Sequence, residues 1–200
     1  MVGSVSVATG VLAGYGRAMS QPIINQVTSL LQDFDSRVQA ADAGSWSNQS
    51  PCSEWTARDV VAHVGNNLLG LTGAFQGTEP TTIAADDDIV PAWDAAHNGF
   101  ISALATADLE TNVPGPFGPM PAAQLIGRFI STDVLVHTWD LARSVGGDEQ
   151  INADACAAAY SGLKSMDAMI RQPGVFGPKV EGSPDDDLQT EFLRFLGRPV

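Results

Sequence analysis

"FISTDVLVHTWDLARSVG", Phe129–Gly146, reads as one amphipathic helix. Ile126, Ile130, Val134, Leu141 and Val145 lie in and around it at helical spacing and form an apolar stripe. Asp133, His137 and Asp140 follow one another at steps of four and three. Side chains so spaced share a helix face, so the three form a polar stripe beside the apolar one. A carboxylate and an imidazole one turn apart can bind the same divalent ion, with a third ligand supplied by another element. The three can equally be a solvated face, with the acids paired to Arg128 and Arg143.

The flanking sequence supplies more helices. Ile24, Val27, Leu30, Leu31, Phe34 and Val38 predict a helix over 21–41. "DAGSWSNQSPCSEW" is a Ser-, Gly- and Pro-containing loop. The next helix opens at "TARD", where Thr56 and Asp59 fit an N-cap and its acidic partner. Val60, Val61, Val64, Leu68 and Leu71 supply its buried face. A third helix is predicted over 86–107, with acids at its start as the helix dipole favours. "NVPGPFGPMP" is a rigid loop. The opening stretch belongs to a fourth helix over 121–144, with Pro121 in its first turn and Gly146 and Gly147 closing it. A fifth helix covers 153–171, and the tail holds a short strand-like piece and a short helix over 186–196. No alternating pattern of useful length predicts a sheet. The chain is therefore mainly all-α, most simply a four-helix bundle with an extra helix and a short C-terminal tail. Such bundles build sites in their cores from facing helices.

Composition narrows the function. Apolar residues make up 44% of 200, enough for a core. The formal net charge is −13, from 23 acidic and 10 basic residues, and no Lys/Arg cluster occurs. That argues against nucleic acid or an anionic membrane as partner. The two cysteines, Cys52 and Cys156, form no CxxC pair, which excludes a zinc ribbon or a thioredoxin motif. So few thiols are most simply free in a reducing cytoplasm. No stretch reaches the roughly 18 apolar residues of a membrane span. In the first 18 residues the only base, Arg17, follows the apolar part, unlike a signal peptide. This segment is expected to be a disordered extension ahead of a domain over 19–200.

His63, beside the buried face of the second helix, is a candidate for the third ligand; His97 is the remaining histidine. Two imidazoles and a carboxylate leave coordination positions open, as a catalytic metal needs. A hydrogen-bonded core histidine is the plainer alternative. No base adjoins Cys52 in sequence, so a packing role is expected for it, and Cys156 in its alanine-rich run is expected in the core. Trp55 and Trp139 either line a pocket or pack in the core.

"PCSEWTARDVVAHVGNN" (51–67), "DVLVHTWDLARSVG" (133–146) and the tail "FGPKVEGSPDDDLQTEFLRFLGRP" together resemble the DinB/YfiT-like helical superfamily. More closely, they are similar to the actinobacterial branch around the mycothiol-dependent maleylpyruvate isomerase N-terminal domain. The resemblance implies a four-helix bundle that holds a divalent metal, usually zinc, although nickel or iron would suit the ligands chemically. It maps the ligands to His63, Asp133 and His137, with Asp133 one methylene shorter than the glutamate of such proteins. Asp140 then either orients an imidazole or pairs with Arg143. The resemblance also implies a low-molecular-weight thiol, mycothiol, as cofactor. Asn67, with Asn66 beside it, is a candidate contact for such a polar ligand. The function so implied is a metalloenzyme of the thiol-dependent transferase or isomerase type, acting on a small molecule. A metal-dependent hydrolase using water and a non-catalytic binding bundle are the alternatives, and a homodimer is compatible with either.

Overall fold

The apolar repeats fold as helices in a computed structural model that describes residues 5–171 and 176–200. α1 spans Val5–Ala40, α2 Ala57–Gln76 and α3 Ile89–Leu104. β1 (Asn112–Val113) and β2 (Met120–Pro121) pair antiparallel, Asn112 opposite Pro121 and Val113 opposite Met120. α4 (Ala122–Gln124) leads through a π-helical turn, Leu125–Ile130, into α5, Ser131–Val145. α6 is Ala153–Lys164, α7 Asp167–Ile170 and α8 Leu188–Phe195.

Several boundaries differ from the sequence expectation. α1 begins at Val5 and carries Pro22 in its interior, so helix covers residues expected to be an extension; residues 1–4 lie outside those described. α3 starts later, with Asp88 as its N-cap, so Asp86 to Asp88 precede its first turn. Pro121 caps the fourth helix from outside, at φ −54° and ψ 137°. The helix itself is not uniform, because the π-helical turn interrupts it just before Asp133; such turns recur at functional sites. The fifth helix breaks where Met166 leaves helical dihedrals, at φ −112° and ψ 13°. The described part of the tail forms a helix but no strand.

The backbone divides into two units. One runs to Leu31 and resumes over Gly65–Ser131; the other joins Gln32–Val64 to Thr132–Val200. In the first, Leu68, Trp93, Phe100 and Ile126 are fully buried. There Asn66 Oδ1 accepts the Ile83 N–H at 2.8 Å and ties the loop after α2 back to that helix. His97 stacks on Trp93 in the same unit, rings 5.4 Å apart.

The second unit buries Phe34, Val60, Val61, Val64, Val134, Leu135, Trp139, Leu141, Phe192 and Leu193. Burial runs almost all round α5, beyond the stripe read from the sequence, and takes in His137, Thr138, Asp140 and Ser144. The buried hydroxyls turn back onto the helix, Thr138 to the Val134 carbonyl at 2.8 Å and Ser144 to that of Asp140 at 2.6 Å. Cys156 is buried, as expected, and burial pushes its thiol up to about 11. Among the described residues no helix is long and apolar enough to cross a membrane.

α2 is started by the predicted cap. The Asp59 carboxylate accepts from the Thr56 N–H at 2.8 Å and the Thr56 hydroxyl at 2.6 Å, and the Asp59 N–H donates back to that hydroxyl at 3.3 Å. These bonds hold the Asp59 carboxyl below its usual range. Thr56→Ala should therefore cost about 1 kcal/mol of stability at neutral pH, read as a Tm loss of roughly 2–4 °C. Because the Asp59 value is depressed on folding, the cap's contribution is present above the unfolded value near 3.9 and fades as pH falls through the folded one. An unchanged Tm in Thr56→Ala would show that the cap contributes nothing.

Candidate metal centre

Four segments of the second unit bring the site together. The first is the loop ahead of α2. Gln49 Nε2 donates to the carbonyls of Ser50, Cys52 and Trp55 at 3.2, 3.2 and 2.8 Å. The Ser50 N–H meets the Trp55 carbonyl at 2.9 Å, and Glu54 takes the left-handed region at φ 67°. The loop also serves the first turn of α2, whose Ala57 and Arg58 N–H groups donate to the carbonyls of Asn48 and Trp46. Those donors lack partners within the helix itself. Cys52 and Trp55 are thereby held at the helix start, two turns ahead of His63.

α2 presents His63 and α5 presents Asp133 and His137. Asp133 Oδ1 lies 3.2 Å from His63 Nε2 and 3.4 Å from His137 Nε2. All three donor atoms lie within 4.8 Å of one another. Tetrahedral zinc with bonds of about 2.0–2.1 Å has donors about 3.3–3.4 Å apart. The two separations are close to the edges of such a tetrahedron, a geometry compatible with one ion shared by the aspartate and both imidazoles and equally with hydrogen bonds from the imidazoles to the carboxylate. The donor chemistry fits too, since two imidazoles and a carboxylate suit zinc and its neighbours. Trp55 packs against both rings, with centroids 4.8 Å from His63 and 5.7 Å from His137. His63 and Asp133 keep 32% and 27% of their side chains exposed, so the donor set has an open side, whereas His137 keeps 8%.

The other nitrogen of His137 is also committed. Its Nδ1 lies 2.9 Å from Asp140 Oδ2, and the Asp140 side chain is fully buried. This is the orienting bond by which a carboxylate fixes the tautomer and angle of a ligand histidine. Asp140 is not paired with Arg143, which bonds Glu149 at 2.8 Å. Its partner is Arg198, in the tail. Arg198 Nε reaches Asp140 Oδ1 at 2.9 Å and Nη2 reaches Oδ2 at 2.7 Å, a two-pronged pair. Nη2 also contacts Cys52 Sγ at 3.2 Å, and that thiol lies 3.3 Å from Asp140 Oδ2. A base therefore does adjoin Cys52, brought by the fold and not by the neighbouring sequence.

The end of α8 explains how Arg198 arrives there. Gly197 takes φ 86°, its N–H bonds the Arg194 carbonyl, and the Arg198 N–H bonds the Leu193 carbonyl at 2.9 Å. This is a glycine-dependent C-cap that turns the chain back across the helix end. A Cβ at Gly197 would lie 2.7 Å from the Pro178 carbonyl oxygen. Arg171 further pins the turn by donating to the Phe195 carbonyl.

The charges reinforce one another. Burial raises Asp140, but His137 and Arg198 outweigh it and hold its carboxyl below the usual range. Burial likewise raises Asp133, yet the charge of His137 and the bonds from both imidazoles hold it well below that range. Burial lowers His137, while Asp133 and Asp140 raise it well above 6.5. With a raised folded value, the protonated His137 contributes stability that is full below the unfolded value near pH 6.5 and is lost as pH rises through the raised folded value. A metal bound at His137 Nε2 would have to displace this proton. Below the raised value, apparent affinity should climb about tenfold per pH unit for each proton released. Zinc titrations across several pH values test this, and a flat profile would show that His137 is not a ligand.

Among the described residues two donor groups fit a metal: His63, Asp133 and His137, and Cys52, His137 and Asp140. The sequence reading missed Arg198 and the engagement of Cys52. Trp139 is core, with the Arg143 guanidinium over its ring. A cleft of about 410 Å³ in the same unit, lined by Tyr160, Lys164, Lys179 and Arg194 among others, contains no donor of either group.

The fold and site thus define a mainly helical protein with a histidine–carboxylate donor set. The chain belongs to the family described as the mycothiol maleylpyruvate isomerase N-terminal domain, whose model matches residues 27–142. That range contains every donor above, while Arg198 lies beyond it. Its mainly helical content, with negligible sheet, agrees with the family's DinB-like helical bundle. Two uncharacterised proteins of Mycobacterium tuberculosis, from strains CDC 1551 and H37Rv, are each 30% identical over 159 residues, covering 76% of this chain and 84% of theirs. Among solved structures, the mycothiol-dependent maleylpyruvate isomerase is similar at a TM-score of 0.50 and 17% identity, over 76% of this chain and 70% of that one. A histidine-to-alanine variant of that isomerase matches equally well at 15% identity. At this identity the likeness concerns the fold.

Proposed function

We propose that the chain binds one divalent metal ion, most simply zinc, through His63, Asp133 and His137, and works as a metalloenzyme of the thiol-dependent transferase or isomerase type. The observation that carries this reading is the pair of Asp133–imidazole separations, 3.2 and 3.4 Å, on a donor set with a solvent-facing side. Bound there, a divalent ion lowers the pKa of a thiol or water, or polarises a carbonyl. The chain's own residues do the rest. Asp140 and Arg198 hold His137 in one tautomer, Trp55 restrains both imidazoles, and the exposed edges of His63 and Asp133 leave room for a small molecule. Family membership favours a low-molecular-weight thiol such as mycothiol as the co-substrate, and Asn67, four residues beyond His63 along α2, is the proposed polar contact for it.

The test has two stages. Metal per chain should come to about one after zinc loading and desalting. The loaded protein should then bind mycothiol, and Asn67→Ala should weaken that binding. Turnover of ester or amide substrates at full rate without any thiol would favour a hydrolase instead. Absence of metal after loading would reject the reading.

A further inference from the structure

His137 belongs to two donor groups, one on each ring nitrogen. Nε2 faces Asp133 and His63, and Nδ1 faces Asp140 and Cys52. The second group resembles a metal site in its own right, with a thiol, an imidazole nitrogen and a carboxylate oxygen converging. Cys52 Sγ and His137 Nδ1 lie 3.3 and 2.9 Å from the same oxygen, Asp140 Oδ2. Thiolate and imidazole together are a stronger zinc set than imidazole and carboxylate in softness. On ligand chemistry alone an ion has reason to settle there. What opposes it is the Arg198 guanidinium, which contacts both Asp140 oxygens and Cys52 Sγ.

We propose that Arg198 is a resident cation that closes the Cys52–His137–Asp140 donor group to metal and so commits His137, through Nε2, to the His63–Asp133 side. It is a positioning residue, acting on the ligand through Asp140. The inference rests on the metal-site reading above and adds to it the device that chooses between the two donor groups. Three physical points support it. The guanidinium supplies the positive charge that the buried carboxylate requires, so a second ion would meet the repulsion of a cation already seated on both carboxylate oxygens and on Cys52 Sγ. Arg198 is itself largely buried, with 11% of its side chain exposed, so it does not swing aside freely. Its place is built, by the Gly197 turn and the Arg171 bond to the Phe195 carbonyl. Removing the guanidinium leaves a buried carboxylate beside a thiol and an imidazole. A divalent ion would then replace the lost charge, bonding Cys52 Sγ and His137 Nδ1 as the thiol proton and the Nδ1 proton leave to solvent.

Cobalt(II) is the probe, because a cysteine ligand adds a thiolate-to-cobalt charge-transfer band in the near ultraviolet. The experiment compares the full-length protein with Arg198→Met, Arg198→Lys and the Arg198→Met/Cys52→Ser double variant, loaded with cobalt in thiol-free buffer. The parent should bind cobalt without the band. Arg198→Met should show the band, the double variant should lose it, and Arg198→Lys, which restores a cation, should again lack it. A charge-transfer band in the parent would overturn the proposal, since the group would be open despite Arg198. So would cobalt uptake by Arg198→Met with a parent-like spectrum. If Arg198→Met is unfolded alone, cobalt should restore its circular dichroism, and failure to do so also overturns the proposal. No cobalt uptake by the parent would instead reject the underlying metal-site reading, and this inference with it.

Discussion

His137→Ala should abolish stoichiometric zinc binding. His137 is the member both donor groups share, and α5 places its Nε2 3.4 Å from Asp133 Oδ1, while Nδ1 is tied to Asp140 at 2.9 Å. Truncation removes one ligand and leaves two that come from different helices, too few for an ion that seeks four partners. His63→Ala should behave alike, since it removes the only donor that α2 supplies. Asp140→Ala differs in kind. It removes an orienting partner and not a ligand, and such changes typically weaken metal affinity about 10–100-fold. Metal content per chain and zinc affinity by competition with a chelator separate these outcomes. Full zinc retention by His137→Ala would reject the ligand assignment.

The second large effect concerns the fold. Asp140 is fully buried and Arg198 nearly so, and the two form a double hydrogen bond. Removing one member of such a pair strands the other charge away from water, which typically costs about 3–5 kcal/mol. For a chain of this size that is roughly 6–20 °C in Tm. Asp140→Ala should therefore lower the Tm of the metal-free protein far more than Thr56→Ala does. Replacing both, as Asp140→Leu/Arg198→Met, should cost less than the two single losses together, because neither charge remains stranded. Thermal melts of the parent, Asp140→Leu, Arg198→Met and the double variant form a double-mutant cycle. Additive losses would mean that the pair is not coupled. The pH direction follows from the depressed Asp140 value: its contribution is present above the unfolded value near 3.9 and is lost as pH falls through the folded value.

Much of the fold was legible from local rules. The step of four from Asp133 to His137 is a helix period, and the run of apolar residues around it had to be helical to be buried. Thr56 with Asp59, and Gly146 before Gly147, mark a start and a stop through backbone groups within a turn of each. The structure shows both, down to the Gly147 N–H on the Ala142 carbonyl at 2.8 Å. The internal breaks were not legible. The π-helical turn over Leu125–Ile130 keeps Ile126 and Ile130 buried, so the hydrophobic pattern carries no mark of the altered winding. Nor did the pattern distinguish a helix buried on one side from α5, whose buried positions include threonine, serine, histidine and aspartate.

The site divides along the same line. By itself the sequence determined which α5 residues share a face, because that depends on dihedral angles a few residues apart. Only the tertiary structure decided what meets them. His63 and Asp133 are 70 residues apart, Asp140 and Arg198 are 58 apart, and Cys52 and Arg198 are 146 apart. No periodicity links positions at such distances; their meeting is set by how whole helices pack and where the turn after α8 points. The Asp140 partner shows the difference most plainly. Arg143 is three residues away and a natural choice by spacing, yet it faces outward to Glu149. A fully buried carboxylate needs a cation that is also removed from water, and the chain supplies it from its other end.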